Sequence, residues 1–419
     1  MPPPTFAPAL EKPLLLGFLL GSALTLTSTA LLYSLLVVLP QRSAGKSGDP
    51  GRQDAAGRGV GIVDGVDGLI GNTPMMRIRS LSKATGCTIL FLNPGGSSKD
   101  RVALNIINTA ERSGLIRPHT GSTIFEGTVG STGISIATIA RARGYRAWIV
   151  MPDDQAREKY ELLEKLGAHV ESVRPVSIVD KRQFVNLAKV RAEEFGKGKE
   201  NGNERGGQEK TGYFADQFEN LANFETHFRT TGPEIFEQTG GKIDAIVLGA
   251  GTGGTIAGIT RYLKPLIPTL RVFLADPQGS GLYNRVRHGV MYAPQEAEGT
   301  RRRHQVDTVV EGVGINRVTK NFELAEGMVD DAFRVSDEEA VKMARFLVRE
   351  DGLFVGSSSA INCVGAVRVA RLLGPGRTIV TMLNDSGQRH LTKFWSDEYL
   401  DKHGVPHDLR DDEGIEFVS

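Results

Sequence analysis

Three glycine-rich loops hold most of the residues in this chain that could do chemistry. In the first, Asn93-Pro94-Gly95-Gly96-Ser97-Ser98-Lys99-Asp100-Arg101 leads into a stretch where Val102, Ile106 and Ala110 recur on one helical face. Ser97 or Ser98 can cap that helix, which places Lys99 at its positive end. A cation is disfavoured there, so the amine is biased towards the neutral, nucleophilic form that a Schiff-base lysine uses. Most lysines at helix starts are nevertheless solvated surface residues. The second loop, Glu126-Gly127-Thr128-Val129-Gly130-Ser131-Thr132-Gly133, follows the apolar pair Ile124-Phe125 and opens a helix from Ile134. Its free N–H groups and hydroxyls suit a carboxylate or phosphate, and equally suit a plain capped glycine turn. The third, Gly249-Ala250-Gly251-Thr252-Gly253-Gly254-Thr255, follows Ile246-Val247-Leu248 and spells GxGxxG, with Asp276 closing the next strand. That pattern admits a nicotinamide-dependent dehydrogenase. Against it, the fingerprint normally opens the first βαβ unit of its domain and several units precede it here; the added threonines also suit a compact phosphate cup.

The elements that must position these loops alternate between two periods. Short β-rich runs at Ile124-Phe125, Ala147 to Met151, Ile246 to Leu248, Val272 to Ala275 and Ile379 to Leu383 are separated by helical stretches. The latter include Arg101 to Arg112, Ile134 to Arg143, Glu158 to Leu166 and Glu338 to Arg349. Strand, glycine turn, helix, repeated, predicts an α/β fold with parallel sheets covered by helices on both faces. Two polar stretches, Gly196 to Lys210 and Glu296 to His304, read as surface insertions. The 419 residues allow two full-sized domains plus an appendage. With 50 Lys+Arg against 49 Asp+Glu, the formal charge of +1 gives no footprint for nucleic acid. Only 2 cysteines are present, which excludes a disulfide framework and a thiolate zinc site, so no metal centre is expected.

The N-terminal region is of a different kind. After a short tail over 1–13, Leu14 to Leu39 carries no charge; as a helix it would extend about 39 Å, enough to span a hydrocarbon core of roughly 30 Å. It is too long for a signal-peptide core and predicts one transmembrane anchor. Arg42, Lys46, Arg52 and Arg58 follow it and only Lys12 precedes it closely, which places the large soluble part in the cytosol. Moderate hydrophobicity with basic flanks resembles a signal anchor of the mitochondrial outer membrane, with the endoplasmic reticulum as the alternative. Residues 40–60 have the composition of a flexible linker.

Taken in this order, the three loops resemble those of the fold-type II pyridoxal-phosphate enzymes, specifically the cysteine synthase and cystathionine β-synthase family. The likeness runs from Leu69-Ile70-Gly71-Asn72-Thr73-Pro74 to about Tyr399, and takes in Gln217-Phe218, Thr230 to Ile235, Glu311 to Gly314 and Gly356 to Ser359. It implies a two-domain, tryptophan synthase β-like fold: a larger cofactor domain over 61–96 and 211–398, a smaller mobile substrate domain over 97–210, and a C-terminal tail over 399–419. It implies pyridoxal 5'-phosphate as cofactor. By that likeness Lys99 is the catalytic, cofactor-holding lysine, and Gly251, Thr252, Gly253, Gly254 and Thr255 form the phosphate cup. Ser358 is then the neutral partner of the pyridine nitrogen, which favours β-elimination over transamination. Thr128, Ser131, Thr132 and Gln217 correspond to the groups that grip the substrate carboxylate. Two departures stand out in the family's TSGNTG loop: Val129 replaces the serine, and Ser131 replaces the asparagine that hydrogen-bonds the cofactor's phenolic oxygen. Ala360 also stands where a glycine is usual. With neither a haem-binding N-terminus nor a regulatory domain pair in view, the resemblance implies a cysteine synthase. Such an enzyme makes L-cysteine and acetate from O-acetyl-L-serine and sulfide, and forms a homodimer. The alternatives are condensation of serine with homocysteine, which the loop changes and Asp385-Ser386 motivate, and a non-catalytic scaffold.

Overall fold

The computed structural model describes residues 68–419 apart from 69, 74, 76, 87, 91–95, 196–209, 293–307 and 411. The tail, the apolar run Leu14 to Leu39, the linker and nearly all of the two expected insertions lie outside the described residues. Among the described residues, no helix is long and apolar enough to cross a membrane.

In chain order the strands are β1 (Thr88–Leu90), β2 (Thr123–Gly127), β3 (Arg146–Pro152), β4 (His169–Val173), β5 (Gly212–Phe214), β6 (Ala245–Leu248), β7 (Arg271–Pro277), β8 (Asp331–Val335) and β9 (Thr378–Thr381). They build two sheets, a larger one in the order β1-β9-β6-β7-β8 and a smaller one in the order β4-β3-β2-β5. Every pairing in both is parallel. Parallel neighbours need helical crossovers, and these cover both faces. In the larger sheet Ala245, Val247, Phe273 and Ala275 pack on one side with Met343, Phe346 and Val364 of helices Asp337–Asp351 and Ser357–Leu373. Their alternates Ile246, Leu248, Val272 and Leu274 pack on the other with Ile256, Ile259 and Leu263 of helix Gly254–Leu266. A slip of one residue would exchange the two sets, so the burial of both faces fixes the register. The smaller sheet repeats the arrangement: Ala147, Ile149 and Met151 face one cluster while Val150 faces Phe184 and Ala188.

Helix ends follow local chemistry. Ser336 and Glu339 form a reciprocal capping box at the start of Asp337–Asp351, and Gly352, at φ 67°, ends it in the left-handed region. Two expected borders meet the structure differently. Gly212–Phe214, placed by sequence in the larger domain, pairs with β2 and so lies in the smaller sheet. Residues 399–419, expected as a tail, bury Leu400, Ile415 and Val418 in the larger core, and the Arg371 guanidinium donates to Ile415 O at 2.8 Å.

The loops after β2, β6 and β9 leave from the carboxyl ends of their strands, the edge at which open α/β sheets bind ligands. All three line one cavity.

Candidate active site

Lys99 is the first residue of helix Lys99–Arg112. Ser98 occupies the cap position without a side-chain bond, and the capping contact comes from Ser97, whose Oγ accepts the Lys99 N–H at 3.2 Å. The amine is held below its ordinary value chiefly by burial, with Asp385 pulling it back up. The direction matches the expected bias towards a neutral lysine, with desolvation as its largest cause. Arg101 fixes the loop from below, donating to Glu234 from both terminal nitrogens at 2.8 and 2.7 Å and to Thr73 Oγ1 at 2.8 Å.

The second loop begins where β2 ends. A Cβ on Gly127 would come within 2.5 Å of Val185 Cα, and Gly130, at φ 136°, leaves room for the Lys159 stem. Thr128 Oγ1 accepts the Gly130 N–H at 3.2 Å, which ties the loop to itself. Thr132 Oγ1 donates to Gln217 Oε1 at 2.6 Å, so two residues remote in sequence meet as a pair. Ser131 Oγ donates to Asp385 Oδ2 at 3.4 Å.

The third loop is a close-packed cup. Gly253 takes φ 83° at the start of helix Gly254–Leu266, whose first N–H groups have no partner within the helix. A Cβ on Gly251 would meet Gly312 O at 2.5 Å, and one on Gly254 would meet Asn223 Oδ1 at 2.2 Å. Thr252 Oγ1 accepts from Asn223 Nδ2 at 2.8 Å, and Thr255 Oγ1 lies 3.1 Å from His227 Nε2. Ser358 Oγ accepts from Asn384 Nδ2 at 3.2 Å. Every residue expected at the site reaches the cavity wall except Gly254, which turns away to pack on Asn223.

The cavity also holds a charged cluster whose members have no role assigned from their motifs. Glu311 receives Lys159 Nζ in a short contact and Lys393 Nζ at 3.1 Å. His390 Nδ1 lies 3.3 Å from Glu311 Oε2, an ion pair rather than an aligned hydrogen bond, and His390 Nε2 lies 3.0 Å from Asp385 Oδ2. Burial pushes Glu311 and Asp385 up, but their cationic neighbours outweigh it and hold both below the ordinary carboxylate range. Burial likewise pulls His390 down, and Asp385 overcomes it, so the imidazole is raised above its usual value. Glu311 and Asp385 sit beside recognisable motifs. Lys159 and His390 carry no such signal, since their partners lie far away in sequence.

The dehydrogenase alternative fails on Asp276. That carboxylate is fully buried and accepts the Tyr283 N–H at 2.7 Å, so it is not available to a ribose. A buried amine of depressed basicity and a cup of glycines, threonines and helix N–H groups without a carboxylate fit an aldehyde that carries a phosphate. A neutral hydroxyl at Ser358 agrees with an unprotonated ring nitrogen in the same group.

Two parallel sheets with helices on both faces and the ligand loops between them are the architecture of fold-type II. The chain belongs to the pyridoxal-phosphate dependent enzyme family, which matches residues 66–385, and its cofactor is pyridoxal 5'-phosphate. It is 60% identical over 342 residues to cysteine synthase 2 of Emericella nidulans, covering 80% of each chain. A Saccharomyces cerevisiae relative provisionally named as a mitochondrial cysteine synthase is 55% identical, with 82% of this chain and 86% of that one covered. Among solved structures, an O-acetylserine dependent cystathionine β-synthase from Helicobacter pylori superposes with a TM-score of 0.65 at 30% identity, covering 79% of this chain and 98% of that one.

Proposed function

We propose that the chain is a cysteine synthase, joining sulfide to the β-carbon of O-acetyl-L-serine with release of acetate. The observation that carries this reading is the meeting of Lys99, the Thr128 to Thr132 loop with Gln217, and the Gly251 to Thr255 cup in one cavity, in a chain 60% identical to a cysteine synthase.

Pyridoxal phosphate, when bound, supplies an electron sink that acidifies the substrate's α-hydrogen. Lys99 would hold the cofactor covalently, and the cup at Gly251, Thr252, Gly253 and Thr255 would receive its phosphate, with Gly254 shaping the turn. Ser358 would serve the ring nitrogen. Thr128, Ser131, Thr132 and Gln217 receive the substrate carboxylate, the Thr132–Gln217 bond fixing the rotamers of both. The Lys99 amine, when not engaged with the cofactor, would take the α-proton. The carbon–oxygen bond to acetate then breaks, the carbon–sulfur bond forms at the same carbon, and Lys99 returns the proton to Cα. The smaller lobe carries the carboxylate loop and the larger the cup.

The test is direct. The protein loaded with pyridoxal phosphate should be yellow and turn O-acetylserine and sulfide into cysteine, and Lys99→Ala should abolish both colour and turnover. Serine with homocysteine outperforming that pair would sink the reading.

Leu14 to Leu39 we assign as a single-pass anchor in the mitochondrial outer membrane, with the catalytic part in the cytosol. The length of the apolar run and the four basic residues after it support this, as does the mitochondrial name of the yeast relative. A homodimer is proposed on family grounds.

A further inference from the structure

Asp385 touches several parts of the site at once. Its backbone bridges to Ser97, and Asn384 O beside it accepts the Ser98 N–H at 3.2 Å, so this segment is stitched to the loop that carries Lys99. Its Oδ2 accepts from Ser131 and pairs with His390. Its Oδ1 is buried with no hydrogen-bond partner among the described residues, on a side chain only 6% exposed. An unpartnered carboxylate oxygen in a closed site is costly unless a positive group is to be served there.

The rest of the cluster narrows the role. Lys159, Lys393 and His390 all lie against Glu311, whose charge they neutralise. Among the described residues Asp385 has His390 as its one direct ionic partner, with Arg389 and Lys159 acting on it from further away. The same carboxylate opposes the effect of burial on Lys99. Ser131 has a single hydroxyl proton, and while that proton is given to Asp385 the residue can only accept elsewhere. The cluster is also sterically provided for: a Cβ on Gly356 would lie 2.1 Å from Asp385 Oδ1 and 2.8 Å from His390 Nε2.

We propose that Asp385 is the counter-charge of Lys99, and that His390 is a positioning residue that keeps this carboxylate ionised and in place. The proposal rests on the reading of Lys99 as the cofactor-bearing amine. When Lys99 takes a proton from the substrate it becomes an ammonium in a buried site, and the carboxylate lining the same cavity stabilises that charge. When the proton goes back to carbon, the amine is neutral again. Glu311, Lys159, Lys393 and Arg389 are the other charges facing Asp385 and His390, and His227 faces Lys99.

The experiment uses the full chain loaded with pyridoxal phosphate and no substrate, and follows the visible absorbance of the bound cofactor with pH. Removing a nearby opposite charge lowers the titration of the lysine nitrogen by about 1–3 pH units, and this shift is expected in Asp385→Asn. Asp385→Glu should titrate near the unsubstituted protein although its longer side chain crowds Gly356, a rescue that a purely structural role would not give. His390→Asn should shift in the same direction as Asp385→Asn and by less. An unchanged titration in Asp385→Asn, or an equal shift in Asp385→Glu, overturns the proposal. If the variants do not load, the unsubstituted protein decides: at pH 7.5, one of the 8 histidines must show the two ring N–H signals of an imidazolium by 15N NMR, and none doing so overturns it. Because no substrate is present, loss of cysteine synthesis with the shifts intact would count against the proposed function alone.

Discussion

Replacing Arg101 with methionine keeps most of the buried stem and removes the guanidinium. The side chain is 4% exposed and makes two bonds to Glu234, one to Thr73, one to Thr230 at 3.2 Å and one to Thr231 at 3.4 Å. Breaking a buried pair costs about 3–5 kcal/mol, because the remaining ion is left without its partner. Here Glu234 keeps the Asn72 N–H at 3.1 Å and is 20% exposed, so part of its hydration returns and the lower end applies. A loss of about 3 kcal/mol is a factor of roughly 150 in the folding equilibrium, and with a urea dependence of about 3 kcal/mol per molar it lowers the midpoint by about 1 M. The measurement is urea unfolding of the cofactor-free protein, followed by circular dichroism. Arg101→Met with Glu234→Leu should recover a good part of the loss, since two apolar groups leave no unpaired ion. A single variant within 0.5 kcal/mol of the parent, or a double variant less stable than the single, would refute the reasoning.

Gly253→Ala should weaken pyridoxal phosphate binding at least about tenfold by fluorescence titration, since the left-handed backbone costs 1–2 kcal/mol and the new Cβ would lie 2.7 Å from Phe322 Cα; Gly289→Ala, at φ 74° in open space, should leave binding unchanged. Burial pushes Asp276 up to about 7, more than the Tyr283 amide, Ser280 and Arg334 pull it down. Its contribution to stability is therefore complete below the ordinary carboxyl value and declines as pH rises towards 7. Asp276→Asn should remove that decline and be more stable at pH 8 by about 2 kcal/mol; coincident urea midpoints at pH 8 would contradict it. Protease added to intact mitochondria should digest the large domain, and protection until the outer membrane is ruptured would place it on the other side.

What could be read in the sequence divides along the sheets. The strands evident there, β2, β3, β6, β7 and β9, are the inner strands of the two sheets, buried on both faces and hence continuous apolar runs. Those that were not evident, β1, β4, β5 and β8, are the four edges. An edge such as His169–Val173 is half solvated, mixes His, Glu and Ser with its valines, and has no period to detect. The site divides in the same way. Glycines at the carboxyl ends of strands announce themselves because a cup of backbone N–H groups tolerates no side chain there. The bond from Thr132 to Gln217 was foreseeable only through a family likeness. His390, between two carboxylates from separate segments, was not foreseeable, because nothing local distinguishes it from a surface histidine.

The first strand of the larger sheet, Thr88–Leu90, is hydrogen-bonded to its last, Thr378–Thr381. A ribosome must therefore deliver almost the whole polypeptide before that sheet can close, whereas the smaller one, drawn entirely from residues 123–214, is available much earlier. Nascent chains will carry a finished small lobe while apolar strands of the large one wait for their neighbours. That long interval exposes them to aggregation and makes chaperone demand fall on the second half of synthesis. Any chain stopped short of residue 378 would be left permanently in that state.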